Sequence, residues 1–207
     1  WALKYWPSTR QAVQDFLAAS ADFHGTVEAN GLCLAAANGN GLDPCDPAVI
    51  QQEYNSNYVM QLRKNGGDSA YVPTTSVYSG FFDEVVEPQQ GAGASAFLND
   101  ARNVGVTNNE IQLVCNGFAD GAAFYGHAGV LYASLTFALF QDALTHAGPG
   151  QASRLNLANV CSQYVAPGLN FTDVKNTVNL IPIAAVEGLA YPNKMLTEPP
   201  LKSYATY

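Results

Sequence analysis

Apolar side chains cluster in three stretches of the chain that are typical of buried β-strands. The first is residues 12–21, which run into a loop at Asp22, and the second is residues 70–79, which are rich in valine, threonine and tyrosine. The third is residues 110–115, where every second position is apolar. Short apolar or alternating runs bounded by turn residues favour strands over helices. We therefore expect three strands, each followed by a loop.

Between these strands, apolar residues recur at a spacing of four, which predicts helices with one buried face. The clearest case is residues 47–65. Further helices are expected at residues 1–10, 130–144 and 173–189, and Pro182 should kink or break the last of them. Strands alternating with helices argue for an α/β fold with a mainly parallel sheet flanked by helices. In such sheets the loops that follow the strands carry the chemistry.

The composition narrows the range of functions. The 207 residues are 48% hydrophobic, which is enough for one sizeable core or for part of a larger one. Charged residues make up only 13%, and the net charge is −8, with Arg63-Lys64 as the longest basic cluster. This balance disfavours nucleic acid as a partner. No His/Cys spacing suggests a metal site and no lysine-bearing phosphate loop occurs, so we expect no cofactor.

Four cysteines and one sequon point to the secretory pathway. The cysteines are Cys33, Cys45, Cys115 and Cys161, with no Cys-x-x-Cys pair among them. They allow three pairings, of which the simplest joins the first two and the last two. Asn170 begins an Asn-Phe-Thr glycosylation sequence. Together these features favour a secreted, disulfide-bonded glycoprotein, whereas four free thiols and a chance sequon are the alternative.

Two polar residues stand out because of where they lie relative to the predicted strands. Asp83 lies in an apolar run after the second strand, and His127 lies in a glycine-rich loop after the third. A carboxylate among apolar residues needs a partner, and the N–H group of an imidazole is one. An acid followed by a histidine is also the order of the last two members of a Ser…Asp…His triad. We therefore interpret His127 as a general base and Asp83 as the residue that orients it.

Each of these residues also has a plain structural interpretation. Asp83 alone could be a turn or helix-capping residue, and His127 alone could be a histidine hydrogen-bonded within its loop. Glu84 is an alternative acid, while His24 and His146 are competing histidines. The nucleophile itself is missing, because Gly-x-Ser-x-Gly occurs nowhere in the chain. The order of residues therefore predicts the C-terminal part of a serine hydrolase, separated from its nucleophile.

The runs that contain these residues resemble fungal lipases of the Candida antarctica lipase B type, which have the α/β-hydrolase fold. The resemblance extends from Trp1 to about Tyr191 and weakens towards the end. Its most specific part is Val-Pro-Thr-Thr-Ser-Val-Tyr-Ser at 72–79, followed by Asp-Glu-Val-Val-x-Pro-Gln at 83–89. Shorter matching runs are Pro-Ser-x-Arg at 7–10, Asp-x-x-Gly-Thr at 22–26, Gln-Gln at 51–52, Arg-Lys-Asn-Gly-Gly at 63–67 and His-Ala-Gly at 127–129.

The resemblance implies a role for individual residues. Asp83 corresponds to the triad acid and His127 to the triad base, while the family's serine lies in a Thr-Trp-Ser-Gln-Gly run upstream of the position of Trp1. Cys115 and Cys161 correspond to a family disulfide. The other matches are pocket residues, namely the acidic Asp22, the polar Gln52, the aliphatic Val85 and Val86, and Leu180 and Ile183 in a mobile helix at the entrance.

The chain also departs from the family pattern. Gly126 stands where the family has an acidic residue immediately before the histidine, and Cys33 and Cys45 have no counterpart. The family's C-terminal disulfide is missing, and Asn179 and Glu187 occur in an entrance helix that is otherwise nearly all alanine and leucine in the family. From these differences we expect a substrate preference that differs from the family's.

The sequence thus predicts an incomplete α/β-hydrolase fold that forms the C-terminal portion of a single domain over residues 1–207. Its parts are a strand and pocket loop at 1–30, an acid-bearing strand and loop at 70–90, a histidine-bearing strand, loop and helix at 110–145, and a lid-like helix at 170–192. The expected activity is hydrolysis of lipid or other ester substrates, with transient contact to a lipid interface. The serine, the first strands and the nucleophile elbow would come from a missing N-terminal segment. The alternative is a non-catalytic relative or fragment that binds lipid or another partner.

Overall fold

The centre of the molecule is a parallel sheet of three strands in the order β1-β2-β3. The structure, a computed structural model, describes residues 1–33, 43–116 and 125–205, apart from the side chains of residues 184, 185 and 187–189. The strands are β1 (Phe16–Ala19), β2 (Thr74–Tyr78) and β3 (Val106–Glu110). In the register, Ser76 of β2 lies between Ala18 and Asn108. The expected parallel sheet is therefore confirmed within the described residues.

Helices surround this sheet, and α7 forms the main contact with its central strand. The α-helices in the described part of the chain are α1 (Ala2–Tyr5), α2 (Val27–Leu32), α3 (Pro47–Gln52), α4 (Asn57–Arg63), α5 (Ile111–Val114), α6 (Gly129–Tyr132), α7 (Ser134–Thr145), α8 (Leu157–Cys161), α9 (Phe171–Val178) and α10 (Leu180–Ala190). Short 3₁₀ helices span Pro7–Gln11, Gly91–Gly93, Ala152–Arg154 and Ser203–Ala205. Leu135 and Leu139 of α7 are buried in one cluster with Val77 of β2 and Ile111 of α5. Burial of these aliphatic side chains holds α7 against the sheet.

The central strand is buried along its whole length although most of its residues are polar. The hydroxyl of Ser76 donates to the carbonyl of Ala96 at 2.7 Å, and the hydroxyl of Thr75 accepts the N–H of Gly150 at 2.8 Å. Because buried polar groups are stable only when they are hydrogen-bonded, these contacts let β2 occupy the core. They also tie β2 to the loops that flank it.

The third strand begins and ends earlier than the sequence predicts. Strands were expected at 12–21, 70–79 and 110–115. The first two are present in shorter form as β1 and β2, but residues 111–114 are helix α5. The strand itself is β3, whose residues 107–110 are all polar. Asn109 is buried and donates from Nδ2 to the carbonyl of Ser76 at 3.0 Å, so a polar strand fits the sheet without apolar alternation.

Two of the predicted helices are each divided in two. Residues 47–65 form α3 and α4, because the buried Ser56 caps α4 by accepting the N–H of Val59 at 3.0 Å. Residues 130–144 form α6 and α7, separated by Ala133 in an extended conformation with ψ of 135°. Four-residue spacing continues across both breaks, so the apolar pattern did not reveal them.

The last predicted helix is broken, but the break lies at Asn179 and not at Pro182. Helix α9 ends before Asn179, and α10 begins at Leu180. Pro182 is the third residue of α10, in the first turn, where a missing N–H removes no intrahelical hydrogen bond.

Two disulfides join distant parts of the described chain, and they have the pairing that the sequence favours. Cys33 is bonded to Cys45, and Cys115, which follows α5, is bonded to Cys161 at the end of α8. Met195 exchanges backbone hydrogen bonds with Cys45, which attaches the C-terminal segment to this region. Among the helices of the described residues, none has both the length and the apolar character needed to cross a bilayer.

Candidate active site

Asp83 lies in the turn after β2, and its side chain is fully buried. Its Oδ1 atom accepts the backbone N–H groups of Val85 at 3.1 Å and Val86 at 2.8 Å. An aspartate that binds N–H groups two and three residues ahead stabilises a tight turn. The same bonds fix the direction of the carboxylate, because the side chain has no freedom to rotate without breaking them.

His127 lies two residues before α6, and its ring contacts the carboxylate of Asp83. Nδ1 lies 3.0 Å from Oδ1 and 3.1 Å from Oδ2 of Asp83. The imidazole is 27% exposed, and within the described residues no hydrogen-bond partner contacts Nε2. The carbonyl of His127 accepts the hydroxyl of Ser20, which follows β1, at 3.2 Å. The ends of β1 and β2 therefore both position the histidine, as the parallel arrangement predicts.

The environment of His127 favours its protonated form. Burial alone would lower the pKa of the imidazole, but the hydrogen bond and charge of Asp83 outweigh it and raise the pKa above its usual value. The charges of Glu84 and Asp22 act in the same direction. A nearby carboxylate stabilises an imidazolium, which is the state that a general base reaches after it takes a proton.

Glu84, the alternative acid, does not bind the imidazole. Its Oε2 atom accepts the backbone N–H of His127 at 2.8 Å. Asp83 is therefore the carboxylate at the ring, and Glu84 is the carboxylate at the main chain.

The competing histidines also have aspartate neighbours, but in different surroundings. Nε2 of His24 lies 3.3 Å from Asp68, whose side chain is 36% exposed and also binds Arg63. His146 is 54% exposed and lies at the end of α7, 3.0 Å from Asp142. Only the pair at His127 combines a fully buried acid with a position after a strand. Across residues 1–33, 43–116 and 125–205, no cluster of three or more His, Cys, Asp or Glu side chains is suited to a metal ion.

The sequence and the fold both match known fungal proteins, although no family model matches the chain. The chain is 31% identical to lipase B of Pseudozyma antarctica over 209 residues, which cover 99% of this chain and 55% of that protein. It superimposes on the crystal structure of Aspergillus fumigatus lipase B with a TM-score of 0.88 and 47% identity, over 99% of this chain and 47% of that one. The chain is lipase B-like. Its sheet and helices are part of an α/β-hydrolase fold, so the resemblance and the fold class inferred from the sequence are confirmed.

The lipase B-like chain spans about half the length of these two relatives. This half contains the three described strands and the contact between Asp83 and His127.

Asp22 is a further titratable group near the pair in the lipase B-like chain. Burial raises its pKa to about 7, and the charge of Asp83 adds to this effect, while hydrogen bonds from Ser95 and Gly25 and the charge of His127 lower the pKa. The hydroxyl of Ser95 lies 3.4 Å from Oδ1 of Asp22. Near neutral pH this side chain is therefore present in both protonation states, and it can donate as well as accept a hydrogen bond.

The remaining predicted pocket residues differ in their exposure. Val86 is buried, and Val85 is half-buried, in the turn that carries the acid. The side chain of Gln52 is exposed at the end of α3. Leu180 and Ile183 of α10 are 54% and 51% exposed. Helix α9, which precedes α10, packs against α6 and so lies beside the histidine loop. No hydrogen bond joins the side chains of these five residues to the acid or the histidine in the described structure.

Thr26 has a structural role that the sequence did not reveal. Its hydroxyl donates to the carbonyl of Val85 at 3.0 Å and accepts the N–H of Glu87 at 2.9 Å. It also caps α2. Thr26 thereby holds the acid-bearing turn against the loop that carries Asp22. The only available signal was its place in the short matching run at 22–26, since a capping threonine is common in any loop.

Proposed function

We propose that the protein containing this chain hydrolyses carboxylic esters of lipids by a Ser-His-Asp mechanism, with the serine on a segment upstream of Trp1. The observation that carries the proposal is the 3.0 Å contact between Nδ1 of His127 and the buried carboxylate of Asp83. A relative from Pseudozyma antarctica and one from Aspergillus fumigatus are both named lipase B, which supports the reaction class.

The pair has the geometry that the reaction needs. Asp83 accepts Nδ1–H of His127, which leaves the lone pair on Nε2 free to act as the base. As the serine oxygen attacks the ester carbonyl, its proton moves to Nε2, and Asp83 stabilises the resulting imidazolium. Backbone N–H groups and an upstream hydroxyl bind the oxyanion of the tetrahedral intermediate. Collapse of the intermediate passes the proton to the leaving alcohol, and water then repeats the sequence on the acyl-enzyme.

The apolar residues near the pair suit a lipid substrate. Val85 and Val86 border the acid, and aliphatic walls with few polar groups accept an acyl chain. Leu180 and Ile183 expose more than half of their surface on α10. Exposed aliphatic side chains on one helix favour transient contact with a lipid surface. The substrate in this proposal is therefore an ester with an apolar acyl group, reached at a lipid interface.

Secretion is part of the same proposal. The two disulfides need an oxidising compartment in which to form and persist. Asn170, the acceptor of the sequon, is exposed at the start of α9. Together these features support an extracellular glycoprotein.

A fluorophosphonate probe tests the mechanism, because it reacts only with a serine that a neighbouring base activates. We expect the whole protein to be labelled at a serine upstream of Trp1, and His127→Ala to reduce the labelling rate by at least about 10³-fold. His146→Ala is the matched control, since His146 also contacts an aspartate but lies at a helix end. This control should label at the normal rate. Labelling of the 207-residue chain at one of its own serines would show that the nucleophile has been misplaced.

A second candidate function is non-catalytic binding of lipid. The exposed apolar residues of α10 favour it, because they present the same surface whether or not a nucleophile is present. The residue at the elbow upstream of Trp1 separates the two functions. A serine in a Thr-Trp-Ser-Gln-Gly-like run supports the enzyme, and alanine or glycine there supports the binding protein.

A further inference from the structure

The carboxylate of Glu84 occupies space that a side chain at position 126 would need. A Cβ atom built on Gly126 would lie 2.4 Å from Oε2 and 3.1 Å from Cδ of Glu84. The first of these distances is far below a normal carbon–oxygen contact, so a side chain there and the present position of Glu84 exclude each other. From this position Oε2 accepts the N–H of His127 at 2.8 Å. The hydrogen bond therefore depends on a glycine directly before the histidine.

We propose that Glu84 is a positioning residue for His127, and that Gly126 is the residue that allows it to act. The kinetic consequences rest on the function proposed above. Two consecutive acids hold the histidine at two points, with Asp83 at ring Nδ1 and Glu84 at the main-chain N–H. Fixing both the peptide and the ring keeps Nε2 in one place relative to its surroundings.

Charge contributes a second, weaker effect. The charged groups that act on His127 are Asp83, Glu84 and Asp22, and all three raise the pKa of its imidazole against the lowering effect of burial. Glu84 is exposed, so solvent screens part of its contribution. Removing its charge should lower the pKa of His127. Because a general base must be unprotonated, the acidic limb of the rate profile should then move to lower pH.

Three variants of the whole protein separate the hydrogen bond from the charge. Glu84→Gln keeps an acceptor oxygen but loses the charge, Glu84→Ala loses both, and Gly126→Ala displaces the carboxylate sterically. In Glu84→Gln we expect the acidic limb of kcat to shift down by a few tenths of a pH unit, with little loss of kcat at its plateau. In Glu84→Ala and Gly126→Ala we expect kcat to fall roughly tenfold at unchanged KM. The double variant should be no worse than either single one, because both remove the same contact.

The matched control is Glu28→Gln, which removes an exposed carboxylate on α2 and should leave kcat and its pH profile unchanged. A readout independent of turnover is the NMR titration of the His127 imidazole, together with the chemical shift of its backbone amide. Glu84→Gln should lower the titration midpoint of the His127 imidazole, and Glu84→Ala should move the amide resonance of His127 upfield.

If the protein turned over no ester but these NMR changes appeared, the proposed function would be wrong and the positioning role would stand. An unchanged titration and amide shift in correctly folded Glu84 variants would overturn the positioning role.

Discussion

At the scale of single residues, two carboxylates near His127 have contrasting surroundings. The Asp83 side chain receives two backbone N–H groups and the imidazole. Asp22 is buried with a long contact of 3.4 Å to the hydroxyl of Ser95. Burial therefore dominates and raises the pKa of Asp22 to about 7.

The raised pKa of Asp22 predicts how stability depends on pH. Between about pH 4 and 7 the native state holds a proton that the unfolded state has lost, so stability falls as the pH rises through this range. Asp22→Asn mimics the protonated form and keeps an acceptor for Ser95. We expect it to raise the free energy of unfolding of the whole protein by about 4 kcal/mol at pH 8, and by almost nothing at pH 4. Urea titrations at both pH values measure the difference.

The exposed Asp43 provides a control for this experiment. Asp43→Asn removes the same charge without relieving burial, so its effect should be small at both pH values. Equal effects of Asp22→Asn at pH 4 and pH 8 would contradict the assignment of a raised pKa to this residue.

The contact between Asp83 and His127 was predictable at the residue scale, whereas the hydrogen bond that Glu84 accepts from His127 was not. Asp83 and His127 were identified from their order and from the predicted strands ahead of them, and the structure places them 3.0 Å apart. The contact of Glu84 with the main chain of His127 had no sequence signature, because it depends on the space beside Gly126. Contacts of this kind join residues more than forty positions apart, so the order of residues does not reveal them.

At the scale of secondary structure, the sequence predicted the positions of the apolar strands and helices, but it did not predict the polar strand β3. Strand β3 contains Thr107, Asn108 and Asn109, whose side chains satisfy backbone and loop groups of neighbouring segments. Strand propensity for asparagine is low, so tertiary hydrogen bonds overrode the local preference. The break between α3 and α4 was likewise hidden, because Ser56 sits in an otherwise continuous apolar spacing.

The start of α9 combines a helix cap with the proposed glycosylation site. Oδ1 of Asn170 accepts the N–H groups of Thr172 and Asp173, while in the described residues Nδ2 has no protein acceptor. A glycan attaches to Nδ2, so it would leave the cap intact. In the reaction Nδ2 displaces a diphosphate leaving group from a lipid-linked oligosaccharide, forming a C–N bond and releasing one proton.

We therefore predict that the glycan and the cap can be removed separately. Thr172→Ala and Asn170→Asp should abolish a mass shift on amidase deglycosylation of the protein secreted from a fungal host, while both keep an oxygen at the cap. Asn170→Ala should abolish the same shift and also lower the free energy of unfolding by about 1 kcal/mol. Mass spectrometry and thermal unfolding measure the two effects. Absence of a glycan on the wild-type secreted protein would contradict the proposal.

At the scale of the whole molecule, one edge of β1 pairs with no strand in the described part of the chain. Both carboxylate oxygens of Asp15, directly before β1, and Nε1 of Trp1 are buried there without a hydrogen-bond partner among the described residues. Buried polar atoms without partners destabilise a fold, and an open strand edge promotes association. The upstream segment that we propose would offer a partner for this edge of β1.

The 207-residue chain by itself should therefore associate or unfold without a sharp transition. Together with the upstream segment it should be monomeric and melt cooperatively. Light scattering coupled to size-exclusion chromatography, together with calorimetry, measures both properties. A pure monomer of the isolated chain with a sharp cooperative melt would show that the edge of β1 needs no cover.

Asp83 and His127 are both held by turns that follow β1 and β2, inside one contiguous polypeptide. Such an arrangement lends itself to a two-piece reporter. Under the proposed mechanism, one tagged fragment would carry Asp83 and His127 and a second would carry the attacking hydroxyl, so that hydrolysis of a fluorogenic ester would report that the two tags have met.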